Sequence, residues 1–408
     1  MSPLYSKTVV LPEALSLIDH IPAVDPIAWI KEGQGIAGGG VAIDIPISLG
    51  PNRFDLASEQ LKALLDDAEI DDPVDIPGSG PLAFGSFTFD HDSLGSRLVI
   101  PGWTLGSSDQ GAWLTVNSTS ELGTLAPEIP SPQPYSLVQK GHLEDTSSAG
   151  WADDVLKARD LIRSGHLEKV VLARSVQVGT KDSIDLRSIA EHLEARFPGC
   201  FTFVFSGLVG ASPELLLRKL GHWVDSIPLA GSAPRDPDPA RDEHLGAQLL
   251  TSRKDRWEHE LAVRTVVDVL RPLCDQLTVE DEPFLYLLPN LQHLGTKIQG
   301  HLSRDMDPLR LLGELHPTAA VCGLPRDRAM DVIRSLERFD RGRYSGPIGW
   351  VDARGDGEWA IALRCAQIDA TDATVYAGAG IVADSDPDLE LEETRMKLRA
   401  VLSAFGLS

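Results

Sequence analysis

Hydrophobic positions along this chain recur with helical and strand periods, and charged residues that interrupt them are the most informative. From Leu249 to Leu261, and on through Val266, Val269 and Leu270, apolar residues fall three and four apart, which predicts an amphipathic helix. Ser252, three residues before Asp255, supplies a start signal. Steps of three and four from Glu258 reach Leu261, Ala262, Thr265, Val266 and Val269, so this carboxylate lies on the buried stripe. There it needs a cation, a hydrogen-bond partner or a raised pKa. A second helical pattern, Asp388–Lys397, puts Glu390, Glu393 and Lys397 on one face, continued by Ala400, Val401 and Ala404. Two helices that both aim carboxylates inward suggest a divalent metal between them.

The remaining pattern interleaves helices and strands. Helices are predicted at Leu56–Asp67, Trp151–Ser164 (stopped by Gly165), Leu186–Arg196, Leu309–Leu315 and Ala329–Leu336. Strands are predicted at Leu82–Asp90, Arg97–Pro101, Gly111–Ser118, Lys169–Val178, Phe201–Val209, Leu215–Arg218 and Leu277–Val279. Trp359–Ile368 and Thr374–Ala377 read as a hairpin. A strict βαβ rhythm and a GxGxxG are both missing, so the fold class expected is α+β, one large layered fold. The proline-rich stretch Pro127–Pro134 is either a linker or a surface crossing within that fold.

Composition narrows the partners. The chain has 408 residues, 42% hydrophobic and 24% charged, with a net charge of −23. That charge argues against nucleic acid and anionic membranes, and leaves room for an anionic substrate only where a few cations are concentrated in a pocket. No apolar run approaches the ~20 residues of a membrane helix, and the start lacks signal-peptide regions. Four separated cysteines without a CxxC fit a reducing compartment, so a cytoplasmic location is expected.

Candidate chemistry sits at the misfits. Lys169 opens a strand and shares a face with Val171, Ala173 and Ser175. That stretch alone allows a solvated edge residue or a partly desolvated base. Glu214, between Pro213 and three leucines, either caps a turn or has its pKa raised and donates a proton. Ile227–Arg235, with Gly231 and Ser232, and Tyr376–Ile381, with Gly378, Ala379 and Gly380, read as loops whose backbone N–H groups can approach an anion. Arg364 alternates in phase with Ala360 and Ala362, leaving room for a ligand carboxylate or for an ion pair within the protein. His316, in a loop after a helix, reads from its own stretch as a hydrogen-bonded core histidine. A site built from carboxylates alone fits Mg²⁺ better than zinc.

Taken together and in order, KVVLAR (169–174), ASPELLLR (211–218), PLAGSAPR (228–235), KDRWEHEL (254–261), HPTAAVCGLP (316–325), SGPIGW (345–350), EWAIALRC (358–365) and AGAGIV (377–382) resemble the chorismate-utilising enzymes, and more narrowly their isochorismate synthase branch in menaquinone and siderophore pathways. The resemblance covers roughly residues 150–408. It implies that 136–408 is the chorismate-binding catalytic region and 1–135 a variable N-terminal part of the same fold. It implies Mg²⁺ on Glu258 and Glu393, with Asp255 and Glu390 nearby. Arg364, Lys397 and the Gly378–Gly380 backbone would hold the substrate carboxylates, with Gly231, Ser232 and His316 also in the binding site. Lys169 would be the general base that activates water, and Glu214 the general acid that protonates the departing hydroxyl.

The reaction implied is chorismate to isochorismate. Salicylate synthases share this base and acid and go on to eliminate pyruvate. Ammonia-using relatives typically lack lysine at the position of Lys169. A silent binding protein on the same fold is a further alternative, opposed by the intact set Lys169, Glu214, Glu258 and Glu393. A monomer is expected.

Overall fold

The computed structural model describes residues 3–13, 15–123, 129–138 and 140–407. Part of the proline-rich stretch, Pro127 and Glu128, lies outside them. Among the described residues there are eight α-helices: α1 (Arg53–Asp66), α2 (Trp151–Arg163), α3 (Leu186–Arg196), α4 (Pro239–Thr251), α5 (Arg253–Leu270), α6 (Pro308–Leu315), α7 (Arg326–Leu336) and α8 (Pro387–Leu402). None is long and apolar enough to cross a membrane.

The strands pair antiparallel almost throughout, and the ladder forks at the long strand Arg97–Ser108. One arm runs from it through Gln34–Ile45, Ile27–Lys31, Phe201–Phe205, Leu208–Ser212, Cys365–Asp369 and Asp372–Ile381 to Lys169–Gly179. The other runs through Leu82–Ser86, Pro347–Asp352, Gly357–Ile361, Leu215–Leu220, Trp223–Ile227 and Ile298–Leu302. Residues of both arms, among them Trp29, Phe201 and Phe203 with Phe84, Ile348 and Trp350, meet in one apolar cluster. A second cluster joins the first arm to α3 and α8, and the largest gathers α1, α2, α6 and α7. The fold is α+β and layered, with helices packed on antiparallel sheet.

Several boundaries differ from the pattern reading, each for a local reason. The predicted helix from Leu249 is two helices. Ser252 ends α4 with extended backbone and caps α5, its hydroxyl accepting from the Asp255 amide at 3.3 Å. Phe201–Val209 is a hairpin, because Ser206 and Gly207 both take positive φ (49° and 83°), as tight hairpin turns require. The strand from Leu82 stops at Ser86. Trp359–Ile368 is broken after Ile361, and Arg364 stands in the break with φ 47°. Both small-residue loops are largely strand: Leu229–Pro234 and Asp372–Ile381.

Candidate active site

Strand register gathers the first part of the site. Val171 pairs with Gly380, and Ala173 with Gly378, so these residues and Lys169 share one face. Leu172 pairs with Ala379 on the opposite face, where Ala379 is buried in the apolar core. Ala379 is therefore corrected from the binding set, while Gly378 and Gly380 line the cavity. The glycine at 380 makes room for the side chains of Glu258 and Lys169. A Cβ there would meet Glu258 Oε1 at 2.0 Å and Lys169 Cε at 3.0 Å.

Lys169 is fully buried, which removes the solvated-edge alternative. Its Nζ lies 3.1 Å from Glu258 Oε1 and makes no directed hydrogen bond among the described residues. Glu258 faces it from the buried stripe of α5, as the helical period requires.

Helix α8 brings the other carboxylates. Its first turn is capped by Asp386, whose side chain accepts from the amides of Asp388 and Leu389. Glu393 lines the cavity and pairs with Lys397 at 2.6 Å, and Lys397 also donates to the Gly378 carbonyl at 2.8 Å. Glu390 is buried and held by Lys254 from α5 at 2.6 Å. Burial, then repulsion by Glu393, pushes the Glu390 carboxyl up to about 7. Burial and the neighbouring Glu258 and Glu393 likewise raise Asp255. Of these four carboxylates, Glu258, Glu393 and Glu390 each hold a lysine, and Asp255 accepts from the Ser252 hydroxyl.

Glu214 lies just before Leu215–Leu220 and is buried against the cavity. Burial raises its carboxyl to about 8, outweighing the accepting bond from the Leu229 amide and the pull of Lys169, Lys397 and Arg364. It therefore carries a proton at neutral pH.

Arg364 is buried, and among the described residues it pairs with no carboxylate. Its Nη2 donates to His293 Nε2 at 2.5 Å, while Nη1 has no partner. The pattern reading missed His293, on the strand Leu291–Gly295. His293 Nδ1 lies 3.1 Å from the Gly231 carbonyl and 3.0 Å from Ser232 Oγ. A carbonyl can only accept, so Nδ1 carries the proton and Nε2 is free to accept from Arg364. Burial, then Arg364 and Lys397, hold the imidazole well below its usual pKa, consistent with that neutral tautomer. The signal in the sequence is one histidine among Leu291, Gln292 and Leu294, indistinguishable there from a core histidine. Gly231 (φ 73°) sits at a bulge in Leu229–Pro234, which re-aims this carbonyl and Ser232 toward His293.

His316 does not reach this cavity, and its place in the binding set is corrected. Its Nε2 donates to the Phe89 carbonyl at 3.2 Å, and its ring lies edge-on to Phe54 and Phe89. The loop turns after it, so that Ala320 and Val321 line the cavity instead.

The cavity measures about 70 Å³. Its polar lining is Glu214, the Arg364 guanidinium without a carboxylate partner, Lys397, Glu258 and Glu393, with the buried Lys169 paired to Glu258.

Residues 27–406 match the chorismate binding enzyme family. The chain is 34% identical over 380 residues to isochorismate synthase DhbC of Bacillus subtilis, covering 90% of each. It is 34% identical over 397 residues to the vibriobactin-specific isochorismate synthase of Vibrio cholerae, covering 96% of this chain and 94% of that one. A solved structure of DhbC from Bacillus anthracis superposes with a TM-score of 0.81 at 29% identity, covering 97% of this chain and all of the other.

Proposed function

The chain belongs to the chorismate-binding enzymes, and on that premise we propose its reaction: it is an isochorismate synthase, an isomerase that moves a hydroxyl from C4 to C2 of the chorismate ring. The observation that carries the chemistry is Glu214, held protonated in the wall of a cavity whose arginine has no anion of its own, with the buried Lys169 paired to the lining Glu258.

Chorismate is a dicarboxylate. Arg364 binds one carboxylate through its free Nη1, with His293 keeping the guanidinium aimed. Lys397 and the backbone at Gly378 and Gly380 take part in the same hold. Lys169 accepts a proton from the water that attacks C2, since water is a poor nucleophile. Glu214 gives its proton to the C4 hydroxyl, since hydroxide is a poor leaving group. The double bond shifts between the two ends, so atoms and charge balance with water consumed and water released. A base and an acid with separated pKa values suit that exchange.

Glu258 and Glu393, with Asp255 and Glu390 behind them, would hold Mg²⁺. The donors are hard oxygens, and the carboxylates that add to burial in raising Glu390 and Asp255 repel one another, which a divalent cation would relieve. When bound, the ion supplies positive charge against a substrate carboxylate.

Purified protein incubated with chorismate and Mg²⁺, with products separated by chromatography, tests the reading. Isochorismate is expected, and its loss with EDTA supports the metal. Salicylate with pyruvate, or an aminated product that requires ammonium, would sink the assignment.

A further inference from the structure

A second cavity lies between the start of α2, the strand Lys169–Gly179 and the segment after α7. Two of its lining side chains carry buried N–H groups without a partner among the described residues. Arg174 is 2% exposed. Its Nε donates to Thr394 Oγ1 at 2.8 Å and its Nη1 to both oxygens of Asp145 at 2.9 Å, but Nη2 has no acceptor. Trp151 is 4% exposed, and its indole Nε1 has none either. The 13-residue helix α2 begins at Trp151 with Gly150 as its cap (φ 86°), and no side chain caps its first amides. A guanidinium, an indole and a helix N-terminus thus border one cavity, which favours an anionic acceptor.

The acidic residues of this cavity do not repel such a ligand, because each is already paired. Asp145 holds Arg174, Asp154 holds Arg338 at 2.9 Å, and Glu337 holds Arg341 at 2.5 Å. The remaining wall is mixed, with Leu172, Ala173, Leu336 and Phe339 as its apolar part and Thr146, Ser147, Ser175 and Gln177 as its neutral polar part. The cavity measures about 270 Å³, room for one small ring. We propose that this cavity is a binding site for a small aromatic carboxylate, its oxygens on Arg174 Nη2, Trp151 Nε1 and the first turn of α2, its ring against Phe339.

The site is joined to the catalytic cavity by two contacts. Arg174 holds Thr394, the neighbour of Glu393 on α8. Phe339 stacks on Tyr376 at 6.2 Å and Tyr376 on Tyr344 at 5.0 Å, and both tyrosines line the catalytic cavity. An occupant therefore touches residues that position the catalytic carboxylate helix. Its binding does not depend on which reaction the first cavity performs.

Benzoate is the probe, titrated calorimetrically into the full chain. Trp151→Phe keeps an aromatic ring and removes the N–H, so benzoate binding should weaken by about fivefold or more, the scale of one hydrogen bond. Arg364→Ala, in the catalytic cavity, should leave that binding unchanged. Binding lost in Arg364→Ala and retained in Trp151→Phe would put benzoate in the catalytic cavity and overturn the proposal. So would acetate binding as tightly as benzoate, or no benzoate binding up to its solubility. If Trp151→Phe melts early, Leu336→Trp fills the cavity from its half-buried rim and should abolish binding; benzoate binding unaffected by it would overturn the proposal equally.

Discussion

Arg364 reaches the substrate cavity because its own backbone leaves strand geometry. A φ of 47° turns the side chain out of the alternation, toward His293. That step is invisible to a period-two reading, which places Arg364 near its task for the wrong reason. Lys169, Glu214, Glu258 and Glu393 are legible because each is a charge where the pattern calls for apolar residues. His293 is not, because a neutral histidine on a buried strand has no such mismatch. His316 shows the converse: a histidine in a family-like motif whose ring faces Phe89. Lys169→Ala should abolish turnover while chorismate still binds in calorimetry. Unchanged turnover would reject Lys169 as the base. Glu214→Gln should lower kcat by roughly 10²-fold or more and flatten the alkaline limb, which in the parent falls as pH rises through about 8. The stability sign follows from the same raised pKa. The folded chain binds a proton that the unfolded chain releases above the usual carboxylate range, so Glu214 favours folding at low pH and loses that contribution as pH climbs toward 8. His293→Asn should raise KM for chorismate about tenfold or more, the cost of a misaimed charged hydrogen bond, with melting temperature little changed. A parent-like KM would show that Arg364 is held without it.

At the scale of elements, the caps were readable and the interruptions were not. Ser252 and the boundaries of Leu186–Arg196 follow from side-chain chemistry and periodicity. The α4–α5 break, the Ser206–Gly207 turn and the Gly231 bulge are backbone events with no period to announce them. Small-residue runs invite a loop reading, yet Gly378 and Gly380 are strand residues that owe their size to what faces them. Gly380→Ala tests this. Its Cβ would collide first with the free end of Glu258, so the fold should survive with a melting temperature near the parent value, while any Mg²⁺-dependent rise in melting temperature is lost. A parent-like Mg²⁺ response would mean that Glu258 does not need that space.

Over the whole molecule, the charge balance and the layered fold class were accessible from composition and element order. A net charge of −23 coexists with Arg364 and Lys397 lining one cavity, and with Lys169 paired to a carboxylate of that lining, as an anionic substrate requires. The forked ladder was not accessible, because pairing between distant strands leaves no local trace. Phe201–Phe205 is covered by Ile27–Lys31, and Pro347–Asp352 by Leu82–Ser86. Residues 136–408 expressed alone would bare both edges and should be insoluble or misfolded by circular dichroism and gel filtration. A soluble, active fragment would refute that dependence.

The same pairings set a timetable for synthesis. Ser86 lies opposite Ile348, 262 positions later in the chain. At ~5–20 residues per second, the ribosome delivers the partner strand roughly 13–50 s after the first one emerges. Through that interval an apolar strand from the first quarter of the chain has no native neighbour on one side. The nascent protein is then an aggregation-prone client, whose yield in a cell depends on holdase capacity as much as on the stability of the finished enzyme.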